Sequence, residues 1–310
     1  MRYAFCASVT WSYMYGINAT MNTMKHYNVN ADWELAYALP NIEKDKQDML
    51  IYMKNASKYF PFKVNWTEVS ALNAKYKAKY GKEHKPNELW IAAFAIATDK
   101  IDDYDAICII QADEFLLYGV EPFFRAVVNS DNVIISEHFN NLNCIEELPF
   151  GREDEVYDQR HSAVADLMFA SKINKRIFEY CVKSQLTKAK RFENHPITAL
   201  NRAITKYLTF NKIMPLERNL WFYQKGIKEN KLTYKNGIIY NHANSRIKGW
   251  HNRWWQDGML KGEIERTVKI GDQEGLKIFK HNAGIAREAM EFFNNLTPET
   301  KIELNWKLKL

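Results

Sequence analysis

The chain has 310 residues, 46% of them hydrophobic and 26% charged, enough apolar material for a sizeable core and too much for a disordered polypeptide. It has no apolar run of about 18 residues, and its first residues (MRYAFCASVTWSYMYG) lack an apolar signal core, so a cytoplasmic protein without a membrane span is expected. The formal charge of +6 hides an asymmetry: residues 1–150 hold 14 Lys and Arg against 19 Asp and Glu, residues 151–310 hold 29 against 18, and residues 181–261 alone hold 16 against 4, which points to an anionic partner.

Arg2 to Val9 predicts a buried first strand, with Thr10, Trp11, Ser12, Tyr13, Tyr15 and Gly16 in the turn after it. Ile17 to Tyr27 predicts a helix stopped by Asn28 to Asn30. Trp33 to Leu39 alternates into Pro40 as a second strand, Asp45 to Ala56 reads as a helix, and Phe62 to Trp66 as a short third strand. Beyond the Asn-capped apolar helix Asn87 to Thr98, the run Ile107, Cys108, Ile109, Ile110 is apolar on both faces, the mark of a strand central in a parallel sheet. Gly119 to Val128 follows as a helix and Asn132 to Ser136 as a strand. This β-α-β order predicts a nucleotide-binding sheet, although neither a GxGxxG nor a Walker loop is present to hold phosphates. Gly151 to His161 reads as a charged loop and Ala163 to Phe169 as an apolar run. Asn174 to Gln185 and Pro196 to Leu208 read as helices, Ile238 to Tyr240 as a short strand, and Gln273 to Leu296 as a long helix packed on the core.

The central apolar run stops at Gln111, Asp113 and Glu114. Acids at the carboxyl end of a buried strand are costly unless they face solvent, a cation or a donor, and that end is where open α/β sheets bind ligands. The corner therefore suits a hard cation and a phosphorylated substrate, or a plain solvated strand-to-loop turn. The four cysteines (Cys6, Cys108, Cys144, Cys181) form no CxxC pair, which suits reduced thiols.

Five segments together, Thr10 to Tyr15, DYDAICIIQADEFLLYGVEPFF, ALNRAI, IMPLERNLW and HANSRIKGW, resemble the GT-A glycosyltransferases, most closely the family 8 type of glycogenin and the lipopolysaccharide galactosyltransferases. In that family a DxD follows the central strand, and a histidine stands six residues before a lysine and eight before a tryptophan, as His242, Lys248 and Trp250 do here. The resemblance spans Tyr3 to Trp250. It implies a Rossmann-like mixed α/β sheet of GT-A type with helices on both faces and a C-terminal helical extension. Residues 1–255 would then form the glycosyltransferase domain (1–140 binding the nucleotide sugar, 141–255 the acceptor), and 256–310 the extension. It also implies that Asp113 and His242 hold Mn2+ or Mg2+, that Lys248 contacts the diphosphate, and that Thr10, Tyr13 and Tyr15 bind uridine. Two departures stand out. Gln111 replaces the first DxD acid, suited to a ribose hydroxyl and poor as a metal ligand, and the acidic pair that the family carries before a leucine-asparagine pair opening a later helix, Leu200 and Asn201 here, is missing. Glu193, Asn194 and His195 lie nearby in sequence, and Glu193 or Asn194 is the candidate to face the sugar; Glu114 is the candidate base if the anomeric carbon inverts.

The resemblance implies a retaining transferase acting on a UDP-sugar. Because a donor diphosphate needs few cations, the excess over residues 181–261, interleaved with Trp221, Phe222, Tyr223, Tyr234, Trp254 and Trp255, suggests a hydroxylated base in DNA as acceptor, ahead of a glycan or lipopolysaccharide. A catalytically silent nucleotide-sugar or nucleic-acid binding module and a nucleotidyltransferase on the same sheet are the competing readings.

Overall fold

The computed structural model describes residues 1–81, 88–112, 114–116, 120–139, 161–187, 196–208, 213–217 and 240–242, and positions 273, 288, 291 and 295. The first strand, β1 (Tyr3–Thr10), alternates between two cores. Tyr3, Phe5, Ala7 and Val9 point into one, Ala4 and Cys6 into the other, the period-2 signature of a strand covered on both faces. A 3-10 turn (Trp11–Tyr13) leads into α1 (Met14–His26). Then come β2 (Asp32–Ala38), α2 (Glu43–Tyr59) and β3 (Val64–Glu68). Next are α3 (Val69–Tyr80), α4 (Glu88–Lys100) and β4 (Ala106–Ile110). The remaining elements are β5 (Glu114–Leu116), α5 (Glu121–Ser130), β6 (Val133–Phe139), β7 (His161–Ser171), α6 (Lys175–Thr187), α7 (Pro196–Tyr207), β8 (Ile213–Glu217) and β9 (Tyr240–His242).

Seven strands form one mixed sheet in the order β3-β2-β1-β4-β7-β6-β8, and β5 pairs with β9 in a separate two-stranded ribbon. β1, β2, β3 and β4 are mutually parallel, and β7 runs antiparallel to both β4 and β6. The chain steps outward from β1 to β3 through α1 and α2, then crosses back through α3 and α4 to enter β4 on the other side of β1. Right-handed crossovers running in opposite directions put their helices on opposite faces. Accordingly α1, α2 and α5 pack into one core, and α3, α4, α6 and α7 into the other. The first core is built on aromatic rings: Phe5 stacks on Trp33 at 4.4 Å, Tyr3 on Phe124 at 4.7 Å, and Phe124 meets Phe169 edge-on at 5.1 Å.

The expected α/β sheet with helices on both faces is present. Four local expectations shift. The first helix starts at Met14 instead of Ile17, so Tyr15 lies on the helix and not in the turn. A helix not expected from the sequence, α3, follows β3 directly. The end of the expected charged loop and the apolar run after it form one strand, β7. The strand expected to end at Tyr240 runs on to His242, which puts His242 within it, while positions 238 and 239 lie outside the described residues. The long helix expected at Gln273 to Leu296 lies mostly outside the described residues; positions 273, 288, 291 and 295 are helical.

Candidate functional site

The strand order reverses between β1 and β4, and the carboxyl ends of these neighbours form the crevice where open α/β sheets take ligands. β1 ends at the half-buried Thr10, followed by Trp11 and the half-buried Tyr13, which packs against the aromatic core. β4 is buried along its whole length and delivers the half-buried Gln111 and the buried Ala112 to the same edge. Their parallel pairing runs from Tyr3↔Ala106 to Cys6↔Ile109, so both carboxyl ends open on the same edge of the sheet.

Two local devices shape this edge. α1 presses its first turn against the corner so closely that a Cβ on Gly16 would stand 2.5 Å from the Ala112 carbonyl oxygen. The ribbon then brings the distant end of the chain to it, because the antiparallel register pairs Glu114 with His242, Phe115 with Asn241 and Leu116 with Tyr240. Directly opposed residues have Cα atoms about 4.5–5.5 Å apart. The backbone of His242 therefore sits across from the residue next to Asp113. Leu116 is buried and anchors the ribbon in the first core.

Of the residues singled out from sequence, Thr10, Tyr13, Tyr15 and Gln111 are placed at this edge by backbone, and Glu114 and His242 are paired across the ribbon. Asp113, Glu193, Asn194 and Lys248 lie outside the described residues. Among the described residues no group of three or more His, Cys, Asp and Glu side chains could hold a metal ion. The chemistry of the expected donors, a carboxylate and an imidazole, suits a divalent cation that also takes phosphate oxygens, and the register sets His242 opposite Glu114. The short strand β5 and the close approach of Gly16 to Ala112 are not expected from the sequence, which gives Gly16 only as a turn residue. The glycine was visible as an interruption three residues after Tyr13.

Cys6, Cys108 and Cys181 are buried free thiols, and burial pushes all three well up, so none is a nucleophile at neutral pH. No described helix is long and apolar enough to cross a membrane.

No family model matches the chain, and no curated protein matches it by sequence. Its architecture is nonetheless that of the GT-A glycosyltransferases, as solved structures show. The WbbM bifunctional glycosyltransferase superimposes with a TM-score of 0.51 at 10% identity over 90% of this chain. This chain spans only 51% of that one. The galactosyltransferase LgtC, solved with donor and acceptor sugar analogues, superimposes with a TM-score of 0.50 at 11% identity, covering 92% of this chain and 95% of its own.

Proposed function

We propose that the protein is a glycosyltransferase that moves a sugar from a nucleotide sugar, UDP-linked, to an acceptor hydroxyl. The observation that carries this reading is the β5–β9 register, which joins His242 to the acid corner after β4 in a fold shared with solved glycosyltransferases. In this reading Asp113 and His242 hold Mn2+ or Mg2+, which when bound offsets the charge that grows on the departing diphosphate. Lys248 grips that diphosphate. Thr10, Tyr13 and Tyr15, at the end of β1, receive the uridine, with a tyrosine ring available to stack on the base, and Gln111 hydrogen-bonds the ribose. Glu193 or Asn194 faces the sugar. The acceptor oxygen bonds to the anomeric carbon as the carbon–oxygen bond to the diphosphate breaks; the diphosphate leaves with the electron pair and, in a retaining reaction, takes the acceptor's proton. Were the reaction inverting, Glu114 would take that proton instead. The buried reduced thiols fit a cytoplasmic setting.

The test is a thermal shift with UDP in the presence and absence of Mn2+. Ligand at a hundred times its dissociation constant stabilises by about 2.7 kcal/mol. Asp113→Asn and His242→Ala should each remove the Mn2+-dependent part of the shift and leave the ligand-free stability within about 0.5 kcal/mol of wild type. Metal-dependent turnover retained in either variant refutes the site.

For the acceptor, the excess of 16 Lys and Arg over 4 Asp and Glu in residues 181–261 favours an anionic molecule, and we read it as DNA carrying a hydroxylated base. Transfer of radiolabelled sugar to hydroxymethylated duplex DNA tests this; label found only in a glycan or lipopolysaccharide acceptor removes it.

A further inference from the structure

Opposite the aromatic core, α3, α6 and α7 form an outer layer whose charge is one-sided. These three helices carry eight Lys and Arg (75, 77, 79, 175, 176, 183, 202, 206) against the single acid Glu179. On the same face α4 adds Lys100 against Glu88 and Asp99, and on the other face α1, α2 and α5 carry six against four, so the excess is concentrated on α3, α6 and α7.

Two exposed lysines of this layer, Lys79 and Lys206, rest on aromatic rings. Lys79 Nζ sits 5.0 Å from the Tyr80 ring centroid, and Lys206 Nζ lies 5.3 Å from the Tyr180 ring and 5.4 Å from the Tyr207 ring. Tyr80 stacks on Tyr76 at 6.0 Å and Tyr180 meets Tyr207 edge-on at 5.9 Å, which joins the supports of neighbouring lysines. The three helices are continuous here. Lys79 of α3 has its pKa raised by a hydrogen bond to Tyr80 and, further down, by the charges of Glu179 on α6 and Asp99 on α4. Two lysines are neutralised, Lys75 by Asp99 at 2.6 Å and Lys175 by Asp102. The exposed Lys79, Lys183 and Lys206 remain spread across all three helices. A lysine resting on an aromatic ring has already given up part of its rotamer freedom, so it loses less on meeting an anion. Exposed cations on three separate helices, two of them resting on tyrosines whose hydroxyls can donate to phosphate oxygens, match a regularly charged backbone better than a single small anion.

We infer that the outer face of α3, α6 and α7 binds the phosphate backbone of duplex DNA. This goes beyond the acceptor reading, on which it rests for the choice of polyanion. α3 descends from the carboxyl end of β3 and α7 ends before β8 begins, so Lys79, Lys206 and their tyrosines sit toward the amino edge of the sheet, away from the corner at 111–113. The face holds the duplex and does not itself present the reacting base.

The experiment is fluorescence anisotropy of a labelled duplex against salt, using the full chain. Wild type should bind at low ionic strength with a log–log slope of about −0.9 for each phosphate neutralised. The triple variant Lys79→Gln, Lys183→Gln, Lys206→Gln should bind at least about tenfold more weakly, its slope shallower by about 0.9 for each lysine in contact. The triple variant Lys44→Gln, Lys54→Gln, Lys58→Gln makes the same charge change on α2 and should bind within about twofold of wild type. Equal losses in the two variants, absence of wild-type binding at low salt, or binding to phosphatidylserine vesicles without binding to the duplex would each overturn the inference. The Mn2+-dependent UDP shift should be the same in all three proteins. Duplex held through this face without sugar transfer to it would remove the acceptor reading alone.

Discussion

A glycine within a helix ordinarily costs about 0.5–1 kcal/mol relative to alanine, so Gly16→Ala would be expected to stabilise α1. The Ala112 carbonyl reverses the sign. With a Cβ placed 2.5 Å from a backbone oxygen, either the helix or the corner has to move, and overpacking of this kind costs about 1–3 kcal/mol. Because the corner is the loop between β4 and the acids, the same shift should misplace Asp113. Gly16→Ala is therefore expected to lower the melting temperature and to weaken Mn2+-dependent UDP binding by about tenfold or more. A variant more stable than wild type with donor affinity unchanged would show that the approach has no role. At this scale the sequence was partly informative. Gln111, Thr10 and Tyr13 stood out because polar and aromatic residues directly after buried strands are conspicuous. Nothing in the composition around Gly16 revealed the oxygen it faces, since that contact joins residues 96 positions apart.

Among the elements, those with a long period were legible and those built on few residues were not. β1 and β4 announced themselves through apolar stretches, β2 through alternation, and α7 through Leu200 and Ile204 four residues apart. α3 was hidden by its three lysines: its buried side is only Val69, Leu72, Asn73 and Tyr76, while the rest of VSALNAKYKAKY is polar or small. β5 and β9 have three described residues each, too few to show alternation, and their pairing joins residues 124 to 128 positions apart. β8 contains Pro215, which cannot donate to a ladder and is tolerated because β8 is an edge strand. Element ends also carry their own chemistry. At the amino edge of the sheet the Tyr104 hydroxyl, just before β4, lies 2.8 Å from Glu34 Oε1 and 3.2 Å from Asp32 Oδ2 on β2. Asn65 of β3 donates to the same Glu34 oxygen at 2.9 Å, and Lys100 Nζ stands 3.5 Å from the other. Burial first, and then the hydrogen bond to Glu34, raises the Tyr104 pKa above its usual 10.0. A phenol whose pKa is higher in the folded state contributes its stability in full below pH 10.0 and loses it as the pH climbs toward the folded value. Tyr104→Phe, which strips a hydrogen bond from a buried carboxylate, should cost about 1–3 kcal/mol at neutral pH. The gap to wild type should narrow in denaturant melts above pH 10.0. A gap constant across that range would assign the loss to packing.

For the molecule as a whole, the sheet joins the two halves that composition distinguishes. β1 to β4 come from the acid-leaning half, and β7 and β8 from the basic half. A further tie comes from position 288, beyond the strands. Glu288 Oε2 is 2.9 Å from His26 Nε2 at the end of α1, and Oε1 accepts from Tyr59 at the end of α2 at 3.4 Å, while Lys25 rests 3.9 Å from the Tyr59 ring centroid. Burial pushes the Glu288 carboxyl up, but the hydrogen bond and charge of His26, then Lys25 and Tyr59, outweigh it and leave the pKa below 4.5. A carboxyl depressed in the folded state contributes its stability above the unfolded pKa and loses it as the pH falls through the folded one. Both partners are partly exposed, at 39% and 46% of side-chain surface, so solvent screens the pair and its worth is about 0.5–1 kcal/mol. Glu288→Gln should therefore melt slightly below wild type at pH 7, by an amount that shrinks with added salt and vanishes once the pH is well below 4.5. A deficit that survives acid and salt alike would mean that the C-terminal chain is held on α1 and α2 by apolar packing, and that the carboxylate adds nothing to it.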